Sequence, residues 1–164
     1  MEGKLTNLYE ELEEKIISMI PCEWQDIYYL GEVEKDKASW SSVFYFKECD
    51  DNKYIKSHDI PDIYDVSEDV YDELLEEASE ILLRIYDCFI ENSQSGWEQM
   101  LIHINANGDI SIEYEYDAIS GNDRGPMERE VIWAYKTFGN IPREGTYMKK
   151  VLDAFLAEVS QSEV

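Results

Sequence analysis

The chain has 164 residues, of which 44% are hydrophobic, and its formal net charge at pH 7 is -23. Its four Trp and twelve Tyr exclude a disordered acidic tail, because such tails are poor in aromatic residues. A folded domain with this excess of carboxylates repels nucleic acids and anionic membranes, and it attracts basic partners or metal cations. We therefore predict no nucleic-acid partner and no membrane partner.

The length and the cysteines narrow the class of protein further. A chain of this length fits one domain, so we predict a single domain over residues 1–164. The chain has three cysteines, an odd number, and they are widely spaced at Cys22, Cys49 and Cys88. This number and spacing exclude a disulfide scaffold and a Cys/His zinc site. No signal peptide and no apolar stretch of about 18 residues can be read. The sequence therefore predicts a cytoplasmic protein with reduced thiols.

The first half of the chain is predicted to form a helix, three strands and a second helix. Apolar residues at steps of three and four predict the first helix over residues 5–20, which Pro21 ends. Short polar turns then separate three segments that predict an antiparallel meander, at 23–33, at 40–46 and from 54 onward. A loop is predicted at 58–66. Ser67 provides the N-cap of a long helix over residues 68–91.

A hairpin and two helices are predicted in the second half. The hairpin strands span 97–104 and 110–116, and Asn107-Gly108 provides the positive φ angles of a tight turn. Pro126 can begin a helix, and the last helix is predicted over residues 147–159. The order α-β-β-β-α-β-β-α-α predicts an α+β fold, with helices packed on a five-strand, mainly antiparallel sheet.

One acidic surface is predicted on the long helix, opposite its Leu and Ile face. Its carboxylates recur at steps of three and four, a spacing at which like charges destabilise a helix slightly. A solvated helix face normally mixes signs, so this surface is either a plain solvated face or an anionic docking surface. We name it the helix ridge, and it consists of Asp69, Asp72, Glu73, Glu76, Glu77 and Glu80.

A second acidic surface is predicted on the last strand, where every second residue is acidic. Carboxylates at this spacing share one face of a strand and lie about 6.6–7 Å apart, close to the spacing of successive phosphates in extended nucleic acid. Tyr114 and Tyr116 are expected in the core on the opposite face. The carboxylates are either the solvent side of the strand or a row that binds a cation or mimics phosphates. We name this row the strand line: Glu113, Glu115 and Asp117, with Asp123 in the following loop.

The sequence contains none of the common catalytic patterns, such as G-x-S-x-G, H-E-x-x-H or a phosphate loop. Residues 103–114 resemble a calcium loop only superficially, since His103 and Tyr114 occupy the positions that need an acid and a bidentate Glu. His58 and His103 have no recognisable nucleophile partner. We therefore predict no catalytic residue, no metal site, no cofactor and no enzyme activity.

Three groups of residues form a pattern of fixed order and spacing. They are Ile20-Pro21-Cys22-Glu23-Trp24, then Asn107-Gly108-Asp109-Ile110 with Glu113-Tyr114-Glu115-Tyr116-Asp117, and last Trp133-Ala-Tyr135-Lys136-Thr-Phe138-Gly139-Asn-Ile-Pro142. In this order they resemble the YezG-like antitoxin and immunity protein family, and the third group is the most specific. The resemblance covers residues 5 to about 155, and the acidic composition is typical of the family.

The resemblance implies an immunity protein in the cytoplasm of a toxin-producing bacterium. Its partner would be the nuclease domain of a large toxin that is exported by a type VII (LXG or related) route. The resemblance supplies no catalytic residues.

Because a nuclease presents Lys and Arg to phosphates, an anionic surface can occupy it as a nucleic-acid mimic, and distortion of the toxin's fold is an equal alternative. We expect the strand line at the centre of the contact and the helix ridge to provide long-range steering. Two other functions stay open: a chaperone-like adaptor for an exported basic protein, and a carboxylate metal-dependent hydrolase. A homo-oligomer also stays open.

Overall fold

The computed structural model describes residues 1–162, and the chain divides into two compact units. The first unit is Met1–Ile119, and the second begins at Ser120. The elements of the first unit are α1 (Glu2–Ser18), β1 (Trp24–Val33), β2 (Trp40–Glu48), β3 (Tyr54–Lys56), α2 (Ile60–Tyr64), α3 (Glu68–Glu91), β4 (Gln99–Asn105) and β5 (Ile110–Glu115). The second unit contains α4 (Pro126–Phe138) and α5 (Tyr147–Ser162). The single domain over residues 1–164 stays a prediction.

The five strands form one sheet in the order β3-β2-β1-β4-β5, and every neighbouring pair is antiparallel. The α+β class, the order of the main elements and the five-strand antiparallel sheet are therefore confirmed. The predicted hairpin turn forms, but in it only Gly108 has a positive φ, of 83°, and the expected positive φ at Asn107 is wrong. The sheet has two edges, β3 and β5.

The core of the first unit lies between one face of the sheet and the helices α1 and α3. On α1, Leu12 and Ile16 are completely buried, as the helical spacing predicts. They join apolar residues from α3 and from alternate positions of the central strands. The largest buried strand and turn residues of this core are Tyr29, Phe44, Phe46 and Trp97.

The predicted loop at 58–66 contains the short helix α2, which sequence reasoning missed. Pro61 lies at the first helical positions of α2, where its missing N–H costs no hydrogen bond. The helix ends at Asp65, which has a left-handed backbone conformation with a φ of 53°. The segment was too short for apolar periodicity to reveal it.

The second unit has its own small core, which contains Val131, Ile132, Leu152 and Phe155. Gly139 ends α4 with a φ of 72°, the left-handed conformation that glycine adopts at helix C-termini. Across the described residues, every helix falls short of the length and apolar character that crossing a bilayer would require.

Candidate protein-binding surface

Only part of the strand line lies in a strand. Glu113 and Glu115 lie on one face of β5 and are exposed, as predicted. The strand ends at Glu115, so Asp117 is exposed in the turn that follows rather than in the strand row. Asp123 is exposed in a loop and belongs to the second unit. The structure therefore keeps two of the three predicted strand carboxylates in the row, and Asp123 lies in a loop as predicted.

The opposite face of β5 contributes to the core through Tyr114, whose hydroxyl lies 2.5 Å from that of Tyr9 on α1. Its ring packs against Trp97 and Phe89, with centroid distances of 5.1 Å and 5.0 Å. Burial raises the pKa of Tyr114, and the hydrogen bond to Tyr9 raises it further. The prediction that Tyr116 also packs in the core is wrong. Tyr116 is 45% exposed, because the strand's alternation stops one residue earlier.

The helix ridge lies along α3, which begins as predicted with Ser67 accepting a hydrogen bond from the Val70 N–H at 3.4 Å. Glu68 and Asp69 occupy the first turn, where the helix dipole favours anions. Five members of the helix ridge are exposed, and Glu77 is the exception, because it is half-buried and contacts α1.

Ion pairs join α1 to one side of α3. The Lys15 ammonium lies 2.6 Å from the Glu77 carboxylate, and the Lys4 ammonium lies 3.4 Å from that of Glu91. Between them, Arg84 donates two hydrogen bonds to the Glu11 carboxylate. We name these contacts the α1–α3 ladder: Lys4–Glu91, Glu11–Arg84 and Lys15–Glu77. Sequence reasoning missed it, although the seven-residue spacing of 77, 84 and 91 places these side chains on one side of a helix.

Within the described residues, some carboxylates of α3 form ion pairs and others do not. The ion pairs of α3 use Glu77, Arg84, Glu91 and also Asp87, which lies 3.0 Å from Lys37. The other five carboxylates of the helix ridge form no ion pair within residues 1–162. They therefore present an unmixed negative surface to solvent.

The negative field is also visible at α1. Burial raises the pKa of the Glu13 carboxyl, and the like charges of Glu10 and Glu14 raise it further. A neighbouring carboxylate disfavours the charged form of a carboxyl in this way. Glu10 and Glu14 are exposed, so α1 also carries negative charge on the surface of the first unit.

The structure brings one histidine and one carboxylate together. His103 on β4 lies 2.9 Å from Asp26 on β1, and its ring stacks on Tyr28 with centroids 4.2 Å apart. His103 lies opposite Tyr28 and diagonal to Asp26, a placement that follows from the register of β4 on β1, which the sequence did not reveal. His58 contacts Ser57 instead, at 3.2 Å. Within the described part of the chain, no three His, Cys, Asp or Glu side chains form a group that could hold a metal ion.

Comparison with known proteins gives a consistent result. The model of the YezG-like immunity protein family matches residues 5–152. Immunity protein YezG of Bacillus spizizenii is 31% identical over 143 residues, which cover 87% of this chain and 88% of that protein. Immunity protein YezG of Bacillus subtilis is 32% identical over 140 residues, which cover 85% and 91%. Type VII secretion system protein EsaG of Staphylococcus aureus is 24% identical over 162 residues, which cover 98% of each chain.

These matches span both compact units and all three groups of residues that carry the resemblance in the sequence. They also confirm the prediction that the protein is not an enzyme, since the family and its Bacillus members are described as immunity proteins. The chain belongs to the YezG-like immunity protein family.

Proposed function

We propose that this protein acts in the cytoplasm, where it binds and neutralises the nuclease domain of a toxin secreted by a type VII route. The observation that carries the proposal is the unmixed negative surface of α3. Five exposed carboxylates there remain outside the ion pairs that use the neighbouring lysines and arginines. A nuclease must expose cations to bind phosphates, so its substrate surface is complementary to such a ridge.

The physical advantage of this arrangement is fast capture. Electrostatic complementarity raises association rates to about 10⁸–10⁹ M⁻¹s⁻¹ at low salt, whereas uncharged surfaces associate at about 10⁵–10⁶ M⁻¹s⁻¹. A net charge of -23 provides a long-range field of the required sign. An immunity protein must bind before the nuclease reaches nucleic acid, so speed serves its role directly.

A second candidate is a chaperone-like adaptor that keeps an exported basic protein competent for secretion. The S. aureus relative is named a type VII secretion system protein, and this name supports the adaptor as a second candidate. An adaptor binds its client without blocking catalysis. The two functions therefore differ in whether the bound toxin still cleaves nucleic acid.

The test requires a type VII toxin with a C-terminal nuclease domain, which is sought first in the gene next to this one. We expect its purified nuclease domain to form a complex with the full chain and to lose cleavage of DNA or RNA at equimolar protein. The isolated chain, tested in parallel with Mg²⁺ and Mn²⁺, should cleave neither substrate. A stable complex that cleaves at the free toxin's rate would favour the adaptor, and the absence of a complex would contradict both functions.

Competition separates surface blocking from distortion of the toxin. If carboxylates occupy the nucleic-acid surface, an excess of uncleavable oligonucleotide should slow association in proportion to its occupancy of the toxin. Distortion at a remote surface predicts no such competition. It predicts a changed circular dichroism spectrum of the bound nuclease instead.

A further inference from the structure

The strand β5 forms an open edge of the sheet. It follows β4 in the strand order and pairs with no further strand among the described residues. Its six residues are all exposed or half-exposed, whereas four of the seven residues of β4 are buried. Even Ile112 and Tyr114, which face the core, keep part of their surface in solvent. An edge with this exposure is accessible to another extended chain.

The hydrogen bonds of the hairpin show which backbone groups of β5 face β4. The Asn105 N–H donates to the Asp109 carbonyl at 3.0 Å, so Asn105 and Asp109 occupy a hydrogen-bonded position of the ladder. Hydrogen-bonded and non-hydrogen-bonded pairs alternate along antiparallel strands. Every second residue after Asp109 therefore directs its N–H and C=O toward β4, namely Ser111, Glu113 and Glu115.

The remaining residues of β5 direct their N–H and C=O groups away from β4, and these are Ile110, Ile112 and Tyr114. The far side of β4 supports this assignment. There the Val33 N–H donates to the Glu98 carbonyl at 3.0 Å, so the even-numbered residues of β4 bond to β1 and the odd-numbered ones to β5. The open edge thus offers three donors and three acceptors in alternation.

The side chains of β5 define what could pair with this edge. On one face, Glu113 and Glu115 are exposed and lie about 6.6–7 Å apart. On the other face, Ile110 is 38% exposed and Ile112 is half-exposed. A second copy of this strand would place carboxylates opposite carboxylates, which is destabilising. A strand with basic residues on one face and apolar residues on the other would match both faces.

We propose that the open edge of β5 binds an extended segment of the toxin as a sixth strand. This inference rests on the proposed function and specifies the partner's conformation and pattern: Lys or Arg at every second position, with apolar side chains between them. Backbone hydrogen bonds to Ile110, Ile112 and Tyr114 provide the affinity. Pairing of the basic residues with Glu113 and Glu115 selects the register of the added strand.

The test uses the full chain and a synthetic peptide of about seven residues in which Lys and Val alternate. A control peptide has the same composition with its lysines and valines in two blocks. Amide hydrogen exchange is followed by NMR with and without each peptide. We expect the alternating peptide to slow exchange at the outward amides of Ile110, Ile112 and Tyr114 by at least about tenfold, and the block peptide to leave it unchanged.

Two variants of one residue separate the backbone from the side chain. Ile112→Pro removes one outward N–H, and Ile112→Ala removes a similar part of the side chain while keeping the N–H. We expect Pro to weaken peptide binding by about tenfold and Ala by less than about threefold. The exchange rate of the Glu113 amide, which faces β4, reports whether the hairpin stays intact in each variant.

Unprotected outward amides at saturating alternating peptide would overturn the inference, whatever the two variants show. Equal weakening by Pro and Ala with an intact hairpin would also overturn it. Neither result affects the proposed function, which is measured separately as the loss of nuclease activity. Conversely, a toxin domain that is not inhibited would refute the proposed function even if the peptide adds to the edge.

Discussion

At Gly31, β1 passes so close to α3 that a side chain has no room. A Cβ atom there would lie 2.7 Å from the Leu82 Cδ1 atom and 2.8 Å from the Tyr29 hydroxyl oxygen. That hydroxyl is fixed in place, because it lies 2.7 Å from the Ser42 hydroxyl, which also accepts a hydrogen bond from Ser79 at 3.0 Å. The buried hydroxyl chain thus links β1, β2 and α3 around the space above Gly31.

We expect Gly31→Ala to lower the free energy of unfolding by about 1–3 kcal/mol, since overpacking of a filled core costs this much. Urea denaturation followed by circular dichroism measures the change. Gly3→Ala is the matched control, because no heavy atom lies within 4 Å of a Cβ at that position in α1. The control should be neutral or slightly stabilising. Equal stability of the two variants would show that Leu82 and Tyr29 move aside freely.

Among the elements, α3 and β5 provide the two acidic surfaces, and they differ in extent and in position. The carboxylates of β5 stand on a paired strand of the sheet, whereas those of α3 are spread along a helix of 24 residues. A fixed pair of charges is suited to a defined contact. A long row of charges is suited to attracting a basic partner from a distance.

We expect replacement of Glu113, Glu115 and Asp117 by Lys to abolish protection of cells against the toxin. All three side chains are exposed, so the thermal melt should change little. The matched variant replaces Asp72, Glu76 and Glu80 of the helix ridge by Lys, so it changes the net charge of the protein by the same amount. It should mainly slow association in stopped-flow measurements. Loss of protection by the helix variant, with protection intact in the strand variant, would reverse the assignment of the two surfaces.

For the whole molecule, the net charge of -23 makes binding of a basic partner depend on salt. Exposed charges are screened beyond about 8 Å at physiological ionic strength. We therefore expect added salt to slow association with the toxin domain more than it accelerates dissociation. Surface plasmon resonance over a range of NaCl concentrations measures both rates. Association rates that stay constant would identify the acidic surface as a solubility feature and the contact as mainly apolar.

Alkaline pH should destabilise the fold through its tyrosines. Burial, with Asp26 as the next cause, raises the pKa of Tyr54 to about 12. Burial also raises the pKa values of Tyr29 and Tyr114. A raised folded-state pKa contributes stability that is fully present below the unfolded pKa of about 10 and is lost as the pH rises through the folded value.

The melting temperature should therefore decline above about pH 10, as measured by circular dichroism from about pH 8 to about pH 11.5. Tyr54→Phe should make the decline shallower. Tyr147→Phe is the control, because Tyr147 is 68% exposed. A decline that is identical in all three proteins would assign the alkaline sensitivity to groups other than Tyr54.

The sequence predicted the elements whose signals are local. Alternation identified β5, helical spacing identified α1 and α3, and Ser67 marked the start of α3 within one residue. It failed where the outcome depends on contacts between distant segments. The end of β5 before Tyr116 and the pairing of Glu77 with Lys15 both depend on tertiary neighbours that no local pattern records. The candidate site was thus predictable as a set of carboxylates, but its division into free and paired members was not.

The alternating signs of the α1–α3 ladder fix how the two helices align along their length. If α1 slid by one helical turn, about 5.4 Å, in one direction, Glu11 would move from Arg84 toward Glu80. If it slid one turn the other way, Glu11 would move from Arg84 toward Asp87. Both displacements bring like charges together. A lysine of α1 could pair with carboxylates at many positions along a helix as acidic as α3. The pair Glu11–Arg84 is the one in which α1 provides the acid and α3 the base, and it therefore makes this alignment of the helices more stable than alignments shifted by one turn.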